Sequence, residues 1–434
     1  MVEKPGKASQ TGKDADSRGQ FIRKMFLKYY SEVEISPPSK LERREFGVIT
    51  ERGGMWRHLG FKDTAEMRVF LRKQVPLHAY HSSTYYEKPN ARTMEEKIWL
   101  GADLIFDLDA DHIQGTEKMT MEEMLAAVKV QFSKLLDVYL LGDFGFDEKD
   151  VKIVFSGGRG YHAHVSSEKV LGLNSHERRE IVDYITSPNP DIEKLIKKDV
   201  FSSDSFHGHI TRKYTYKLYP LETPGWRGKV TSSVFEFIGK TENMGKAEIL
   251  DELTSFSGIG DTLAIKIYDS LYPGKKGNRG IDKIKKDLNL EPFKDDSVRN
   301  SFINHIVGEI SVQLGGETDE PVTSDVKRLI RLPGSLHGKS SLKVIPLNMD
   351  DYWGFLPLRD AVWDGFSEDP VRVKPFVDAD ASLKGSDFKI IKDADIELPE
   401  YAALFFACQK KCDIVNYQPL KRLAFVAGAG SLRA

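Results

Sequence analysis

Two aspartates separated by one residue follow an apolar run in the first third of the chain. Leu104, Ile105 and Phe106 form this run, and their composition predicts a buried β-strand. Because side chains two residues apart on a strand point to the same face, Asp107 and Asp109 share a face. Neighbouring ionised carboxylates repel each other, and a hard cation such as Mg²⁺ or Mn²⁺, which prefers oxygen ligands, removes that repulsion. The pattern indicates a metal-binding carboxylate pair, with an acidic loop that faces water as the alternative.

A glycine-rich segment that begins at Ser156 has the residue types of an anion-binding loop. It follows an apolar strand at 151–155 and has the sequence Ser-Gly-Gly-Arg-Gly-Tyr-His. Glycines such as Gly157 let backbone N–H groups approach an anion, and Arg159 can bind a phosphate through two hydrogen bonds. A tight hairpin would explain the glycines alone. The Ser, the Arg and the imidazole of His162 around them favour phosphate binding.

A third group of polar side chains surrounds a Pro-Gly pair at 333–334. This pair is expected to end a helix that begins near residue 323. The basic side chains around the turn are Arg328, Arg331, His337 and Lys339. Such a cluster on a glycine-containing turn suits a triphosphate. A solvated loop is the alternative, because Lys and Arg are usually exposed.

The elements that must position these groups are strands interspersed with amphipathic helices. Apolar residues at helical spacing predict helices at 64–73 and 120–141, and a Gly-Gly pair at 53–54 predicts a hairpin. An alternating His and Tyr segment at 78–86 fits a half-buried strand better than a nucleotide-stacking surface. These patterns indicate an α/β (α+β) fold class.

Changes in composition divide the chain into segments. The predicted segments are a disordered tail at 1–18, the first part of a catalytic core at 19–165, a helical insertion at 166–300, the second part of the core at 301–375, and a C-terminal helical segment and tail at 376–434. Within the last segment, residues 398–412 are expected to form one helix.

Composition excludes several classes of protein. The chain has 434 residues, 40% of them hydrophobic, and a net charge of −2 that neither requires nor excludes a nucleic-acid partner. Two cysteines, Cys408 and Cys412, are too few for a disulfide framework, a four-cysteine zinc site or a cysteine-ligated iron–sulfur cluster. No apolar run approaches the ~18 residues of a membrane span, and the N-terminus lacks the apolar core of a secretory signal. We therefore expect a cytoplasmic protein without a membrane segment.

Taken in their order along the chain, the three motifs resemble those of the catalytic small subunit of archaeo-eukaryotic DNA primases, and most of all the archaeal form. The motifs are Phe106–His112, Ser156–His162 and Arg328–Gly338, and the resemblance extends from about Phe21 to Val344. It implies a mixed-sheet primase catalytic core with an inserted helical domain.

The resemblance also implies roles for individual residues. Asp107, Asp109 and Asp319 correspond to the catalytic, metal-binding carboxylates of the family. The positions that hold the phosphates of the nucleotide correspond to Ser156, Arg159, His162, Arg331 and His337, and Gly157 belongs to the same loop. Glu45 and Arg57 correspond to positions near the nucleotide or the initiation site.

The implied activity is the synthesis of short RNA or DNA primers on a single-stranded DNA template, from nucleoside triphosphates, by two-metal nucleotidyl transfer for DNA replication. The implied cofactors are two Mg²⁺ or Mn²⁺ ions, and the implied partner is a large primase subunit that carries an iron–sulfur cluster. Relatives commonly carry a Cys/His zinc knuckle after the aspartate motif. Residues 113–122 contain neither Cys nor His, so we expect no structural zinc.

Three other functions are compatible with parts of the sequence. A gap-filling or end-joining polymerase of the same superfamily would share the motifs. A haloacid dehalogenase-type phosphatase also places an aspartate pair after an apolar strand, but that function does not explain the Ser156 loop. A non-catalytic DNA-binding protein could use the turn at Gly258-Ile259-Gly260, which is similar to a helix-hairpin-helix turn.

Overall fold

A computed structural model describes residues 11–110, 119–186, 191–206, 209–256, 258–311 and 323–415, with side chains described from residue 17 onward and outside 201–213. The strands are β1 Phe46–Ile49, β2 Met55–Leu59, β3 His78–Ser82, β4 Thr84–Tyr86, β5 Trp99–Ala102, β6 Leu104–Asp109, β7 Val151–Phe155, β8 Gly160–Val165, β9 Lys197–Phe206, β10 His209–Lys217, β11 Leu329–Arg331, β12 Ile345–Leu347, β13 Pro370–Pro375, β14 Ala379–Leu383, β15 Ser386–Ile390, β16 Ile396–Pro399 and β17 Cys412–Ile414.

The α-helices are α1 Thr11–Glu32, α2 Thr64–Gln74, α3 Met94–Lys97, α4 Met121–Lys134, α5 Glu168–Leu171, α6 Ser175–Thr186, α7 Ile192–Leu195, α8 Trp226–Thr241, α9 Lys246–Thr254, α10 Asp261–Leu271, α11 Gly280–Asp287, α12 Asp296–Ile310, α13 Met349–Gly354, α14 Pro357–Asp360 and α15 Glu400–Cys408. A π-helical segment, Leu135–Asp143, follows α4 directly. These helices and antiparallel sheets confirm the predicted α/β (α+β) class.

The chain divides into two compact units. One consists of Asp137–Gly145 and Glu180–Gln313, and the other contains the rest of the chain. These bounds differ from the predicted insertion at 166–300. Residues 166–179 belong to the sheet-containing unit. In that unit, the buried Arg178 side chain donates hydrogen bonds to the carbonyls of Ala102 and Asp103, at 2.7 and 2.8 Å.

Two four-stranded antiparallel sheets form the framework of the sheet-containing unit. Their strand orders are β11-β3-β1-β2 and β12-β7-β8-β6. Helix α4 packs on β6 and β8, where the rings of Phe132 and Tyr161 lie 5.4 Å apart. The second sheet includes the predicted aspartate strand, β6, and the predicted 151–155 strand, β7, which pair with opposite edges of β8.

The smaller unit is mostly helical around an apolar core that includes Val230, Leu253, Ile267 and Phe302. The sequence predicts a helical character for residues 166–300, and helices α5 to α11 lie within that range. The β9–β10 hairpin was not expected, because its Lys-, Asp-, Ser- and Thr-rich sequence lacks the apolar alternation that identifies a strand. The pairing of these two strands therefore cannot be predicted from their composition.

Three local predictions differ from the structure. Helix α1 begins at Thr11, inside the predicted tail, because helix propagation adds one hydrogen bond per residue beyond the buried stripe that starts at Phe21. The helix expected from residue 323 is instead a series of turns followed by β11, which pairs with β3. The helix expected over 398–412 spans only Glu400–Cys408, because β13 pairs with both flanking strands, β16 and β17.

Candidate active site

The two carboxylates of the aspartate motif extend from one face of β6. Asp107 and Asp109 are 26% and 31% exposed at the side chain, whereas Phe106 and Leu108 between and beside them are buried. Strand alternation alone produces this division, since residues two apart share a face. The prediction that both carboxylates lie on the same face of a buried strand is confirmed.

The register of β6 and β8 brings basic groups beside these carboxylates. Asp107 pairs with His162 and Asp109 pairs with Gly160. The Nε2 atom of His162 lies 3.3 Å from Oδ1 of Asp107, and Nε of Arg159 lies 3.9 Å from Oδ1 of Asp109. One hairpin therefore supplies partners for both members of the acidic pair.

The loop between β7 and β8 is closed by its own hydrogen bonds. The Ser156 N–H donates to the carbonyl of Gly160 at 3.0 Å, and the Gly158 N–H donates to the Ser156 hydroxyl at 3.1 Å. Gly157 has a φ of +73°, and a Cβ there would lie 2.8 Å from Cβ of His337. Only glycine suits this position, because the backbone is left-handed and a second loop packs directly against it.

Arg331 occupies the centre of a second cluster. Its position on β11 pairs with Tyr80 of β3, and its guanidinium carbon lies 4.8 Å from the centre of that ring. The two terminal nitrogens donate to Nδ1 of His78 at 2.5 Å and to Nε2 of His337 at 3.0 Å. Burial lowers the pKa of Arg331, while Tyr80, Asp107 and Asp109 act to raise it, so this guanidinium lies within the electrostatic influence of both aspartates.

Two neutral histidines hold the guanidinium. Burial, with Arg331 and Lys339 nearby, lowers the pKa of His78 to about 3. Burial, followed by Arg331 and His78, lowers the pKa of His337 well below its ordinary value. Because arginine can only donate, both imidazole nitrogens must accept, which fixes the tautomer of each ring.

A hydrogen-bonded chain links this cluster to the glycine-rich loop. With Nε2 of His337 accepting from Arg331, its Nδ1–H faces the Ser340 hydroxyl at 3.1 Å. That hydroxyl donates in turn to the carbonyl of Gly157 at 2.5 Å. The second and third sequence motifs are therefore physically connected.

A cleft of about 1190 Å³ joins the motifs into one site. The predicted residues that line it are Asp107, Asp109, Ser156, Arg159, His162, Arg328, Arg331, His337 and Lys339. Gly157 lies behind the wall, where it contacts His337, and its neighbour Gly158 faces the cleft. The cleft therefore places an acidic pair and a basic cluster around one space.

Glu45 and Arg57 do not line this cleft. Their side chains form an ion pair with Nε to Oε1 at 3.0 Å, and the Lys97 ammonium binds the other carboxylate oxygen at 2.7 Å. Burial acts to raise the pKa of Glu45, but hydrogen bonds from Lys97, Arg57 and the His58 backbone together lower it below its ordinary value. In this structure the two candidates contribute to a mostly buried charge network.

Asp319, the third expected metal ligand, and most of the segment at 113–122 lie outside the described residues. Within the described ranges, no group of three or more His, Cys, Asp or Glu side chains could hold a metal ion. The pair formed by Asp107 and Asp109 offers the hard oxygen donors that suit Mg²⁺ or Mn²⁺. The donor chemistry therefore fits, and a third ligand would have to come from elsewhere in the chain.

Sequence reasoning missed two residues of the basic cluster. His78 and Tyr80 belong to the segment at 78–86, for which the sequence favours a half-buried strand over a nucleotide-stacking surface. Their spacing of two was the available signal, because it places both side chains on one strand face. The contact of this face with Arg331 depends on the pairing of β3 with β11, and these two strands are separated by some 250 positions along the chain.

Comparison with known proteins agrees with this arrangement. Residues 106–349 match the family model described as DNA primase small subunit. The DNA primase small subunit PriS of Methanocella arvoryzae is 38% identical over 411 residues, which cover 93% of this chain and 100% of that protein. PriS of Methanothrix thermoacetophila is 41% identical over 390 residues, covering 89% of this chain and 96% of that protein.

A further relative, PriS of Picrophilus torridus, is 38% identical over 387 residues. None of the helices in the described part of the chain has the length and apolar character needed to cross a membrane. Because these relatives and the matching family model are DNA primase small subunits, the alternatives of a phosphatase and of a non-catalytic DNA-binding protein are set aside. Since such relatives match almost the full length of the chain, it belongs to the archaeal type of the DNA primase small subunit family and is a DNA primase.

Proposed function

We propose that this chain is the catalytic subunit that makes short primers on single-stranded DNA by nucleotidyl transfer from nucleoside triphosphates. The observation that carries the proposal is the shared cleft, in which Asp107 and Asp109 face the basic side chains of Arg159, Arg331 and His337. In each transfer a 3′-hydroxyl oxygen bonds to the α-phosphorus, the bond to the β-phosphate oxygen breaks, and the hydroxyl proton is lost to solvent or a base. Pyrophosphate is the second product.

The basic cluster is proposed to hold the triphosphate. Arg331 is oriented by hydrogen bonds to His78 and His337 before any ligand binds, so little side-chain freedom is lost on binding. A guanidinium fixed in this way can bind phosphate oxygens at its free edge. Ser156, Arg159 and His162 on the hairpin wall, with Arg328 and Lys339 at the turn, would complete the set of phosphate contacts.

The carboxylates are proposed to hold two divalent cations, with Asp319 as the third ligand. The chemistry that such cations supply is a lower pKa of the attacking hydroxyl and neutralisation of charge on the leaving pyrophosphate. The protein's own contribution is to keep Asp107 and Asp109 on one strand face, beside His162 and Arg159. We propose that the α-phosphate of the nucleotide lies near these two carboxylates.

The partners are proposed from the family. The relatives are named small subunits, so we propose a larger primase subunit as the partner of this chain, carrying the iron–sulfur cluster. Both cysteines of this chain are buried, at the end of α15 and on β17, and we propose that it binds neither zinc nor an iron–sulfur cluster. An enzyme that primes chromosomal DNA acts where the chromosome lies, which in an archaeal cell is the cytoplasm.

The test is primer synthesis by the purified chain. Unprimed single-stranded DNA is incubated with Mg²⁺ or Mn²⁺ and either ribonucleoside or deoxyribonucleoside triphosphates, and the products are sized. Asp107→Asn and Asp109→Asn should abolish synthesis, while Asp393→Asn, a surface control outside the cleft, should not. Products only from primed templates would instead identify a gap-filling polymerase, and undiminished synthesis by Asp107→Asn would refute the proposed role of the carboxylates.

A further inference from the structure

The cleft has a second wall that the three motifs do not account for. It is formed by the start of the β14–β15 hairpin and by the turn after α15, and its polar residues are Asp378, Asp380, Ser382, Gln409, Lys410 and Lys411. Ligand pockets that take one small molecule span roughly 300–1,000 Å³. At about 1190 Å³, the cleft is larger than this range. The reaction proposed above requires a second substrate, a nucleic-acid strand, in the same space.

Lys410 occupies a backbone position that normally belongs to glycine. Its φ is 59°, and it lies where α15 ends. The Lys411 N–H donates to the carbonyl of Phe406 and the Lys410 N–H to that of Ala407, both at 3.0 Å. Glycine is the usual residue at this point of such a helix terminus, because a side chain there is strained. The fold alone therefore favours glycine over lysine at position 410.

The other charged groups of this wall already have partners. Burial lowers the pKa of Lys411, whereas Asp380 acts to raise it, so these two charges interact. The Asp378 carboxylate accepts the Lys392 N–H at 2.7 Å. Lys410 is exposed, and among the described residues it takes part in no ion pair. Its ammonium group is the cation on this wall that remains available to a ligand.

We propose that Lys410 binds a backbone phosphate of the nucleic-acid strand that enters the cleft. A lysine ammonium is a mobile point charge that suits a phosphate whose position shifts as the strand advances by one nucleotide at each step. The left-handed turn at the end of α15 places Lys410 on the lining of the cleft. This inference rests on the proposed function, since it assigns the second substrate of the same site.

The experiment separates stability from binding. Lys410→Gly relieves the backbone strain, so it should raise or leave unchanged the melting temperature, yet it removes the proposed contact. Lys410→Gln keeps the strain and removes only the charge. Lys40→Gly is the matched control, because Lys40 is also exposed and left-handed, with a φ of 52°, and lies outside the cleft.

Binding of fluorescent single-stranded DNA and of a primer–template duplex is measured by anisotropy over a salt series. Both Lys410 variants should bind roughly threefold to tenfold more weakly. The steepness of log binding constant against log salt concentration should decrease by about one, the value expected for the loss of one phosphate contact. A loss only with the duplex assigns the phosphate to the primer, and an equal loss with both DNAs assigns it to the template. Lys40→Gly should match the wild type.

These measurements do not require catalysis, so they remain informative if no primers are made. In an extension assay, the variants should raise KM for the primer–template and leave KM for the nucleotide unchanged. A wild-type salt slope in Lys410→Gly and Lys410→Gln would overturn the proposal. So would weakened binding in Lys410→Gly alone, or a wild-type chain that binds neither DNA.

Discussion

Arg331 and His337 are joined by a hydrogen bond of 3.0 Å from the guanidinium to Nε2 of the imidazole, although both are candidates for the same phosphate-binding role. The contact means that the two residues act as a unit. His337 is also bonded through Ser340 to the glycine-rich loop. A change at either residue is therefore expected to disturb the position of the other.

Arg331→Lys tests this unit. Lysine keeps the charge but lacks the planar fork that donates to His78 and His337 at once, so at least one of these two hydrogen bonds is lost. We expect KM for the nucleotide to rise roughly tenfold or more, with a lower kcat, since one positioned charge-assisted contact contributes about 1.5–3 kcal/mol. Steady-state extension kinetics measure both constants. A variant indistinguishable from wild type would show that Arg331 does not contact the phosphates.

Arg331→Lys combined with His337→Gln shows whether the two residues are coupled. If they act as a unit, the double variant should lose less than the sum of the two single losses. Strict additivity of the free-energy changes would contradict the coupling.

The two histidines predict how stability depends on pH. Each has a folded-state pKa below the ordinary value of 6.5, so the unfolded chain binds more protons below that pH. The stabilisation is complete above pH 6.5 and is lost as the pH falls toward about 3, the pKa of His78. Urea unfolding between pH 4.5 and 7.5 should show this slope.

His78→Asn is the matched variant for the pH prediction. The asparagine carbonyl can accept the Arg331 hydrogen bond and does not titrate. The slope of unfolding free energy against pH should become shallower in this variant than in the wild type. An unchanged slope in His78→Asn would mean that His78 is not held neutral.

Gly157→Ala should destabilise the fold and impair catalysis together. The added Cβ meets the His337 side chain at 2.8 Å on a backbone whose φ is +73°. Strain of this kind costs about 1–3 kcal/mol, and relief of the clash must displace either the loop or His337. Gly53→Ala is the control, because Gly53 has a φ of +75° and nothing within 4 Å of the added atom. Chemical denaturation and nucleotide KM should change more in Gly157→Ala than in the control.

Glu45→Gln tests whether Glu45 and Arg57 have a structural role. The substitution leaves the fully buried Lys97 ammonium without its carboxylate, and breaking a buried pair costs about 3–5 kcal/mol. Arg57 is 41% exposed, and loss of such a pair typically costs about 1 kcal/mol or less. Denaturation of Glu45→Gln and Arg57→Gln should show this difference. Equal and small losses of stability, with loss of initiation in both, would instead support the role near the initiation site that the family resemblance implies.

Asp319→Asn tests the third carboxylate, which the family resemblance assigns as a metal ligand. We expect primer synthesis to fall at least about a hundredfold, because removal of a ligand from a metal site impairs both binding and charge stabilisation. Asp325→Asn is a nearby control, because the Asp325 carboxylate accepts the Lys327 N–H in a turn. Near-normal synthesis by Asp319→Asn over a titration of Mg²⁺ would exclude Asp319 from the metal site.

The sequence alone determined the local parts of the site. The apolar run before Asp107 encodes a buried strand, and the alternation of side chains then places Asp109 on the same face. The glycines after Ser156 encode a tight loop in the same way. Such features depend on periods of two residues and on backbone conformations of single residues, which a sequence displays directly.

Only the tertiary structure decided which of these parts meet. Nothing local to His78 or Tyr80 indicates that β3 pairs with β11 and so delivers both to Arg331. The sequence around Lys97 does not indicate that this side chain is buried against Glu45. The sequence around Lys410 does not indicate that this residue lines the cleft. These relationships arise from strand pairing and packing between distant segments, whose free energy depends on the whole assembled core and not on any short stretch of residues.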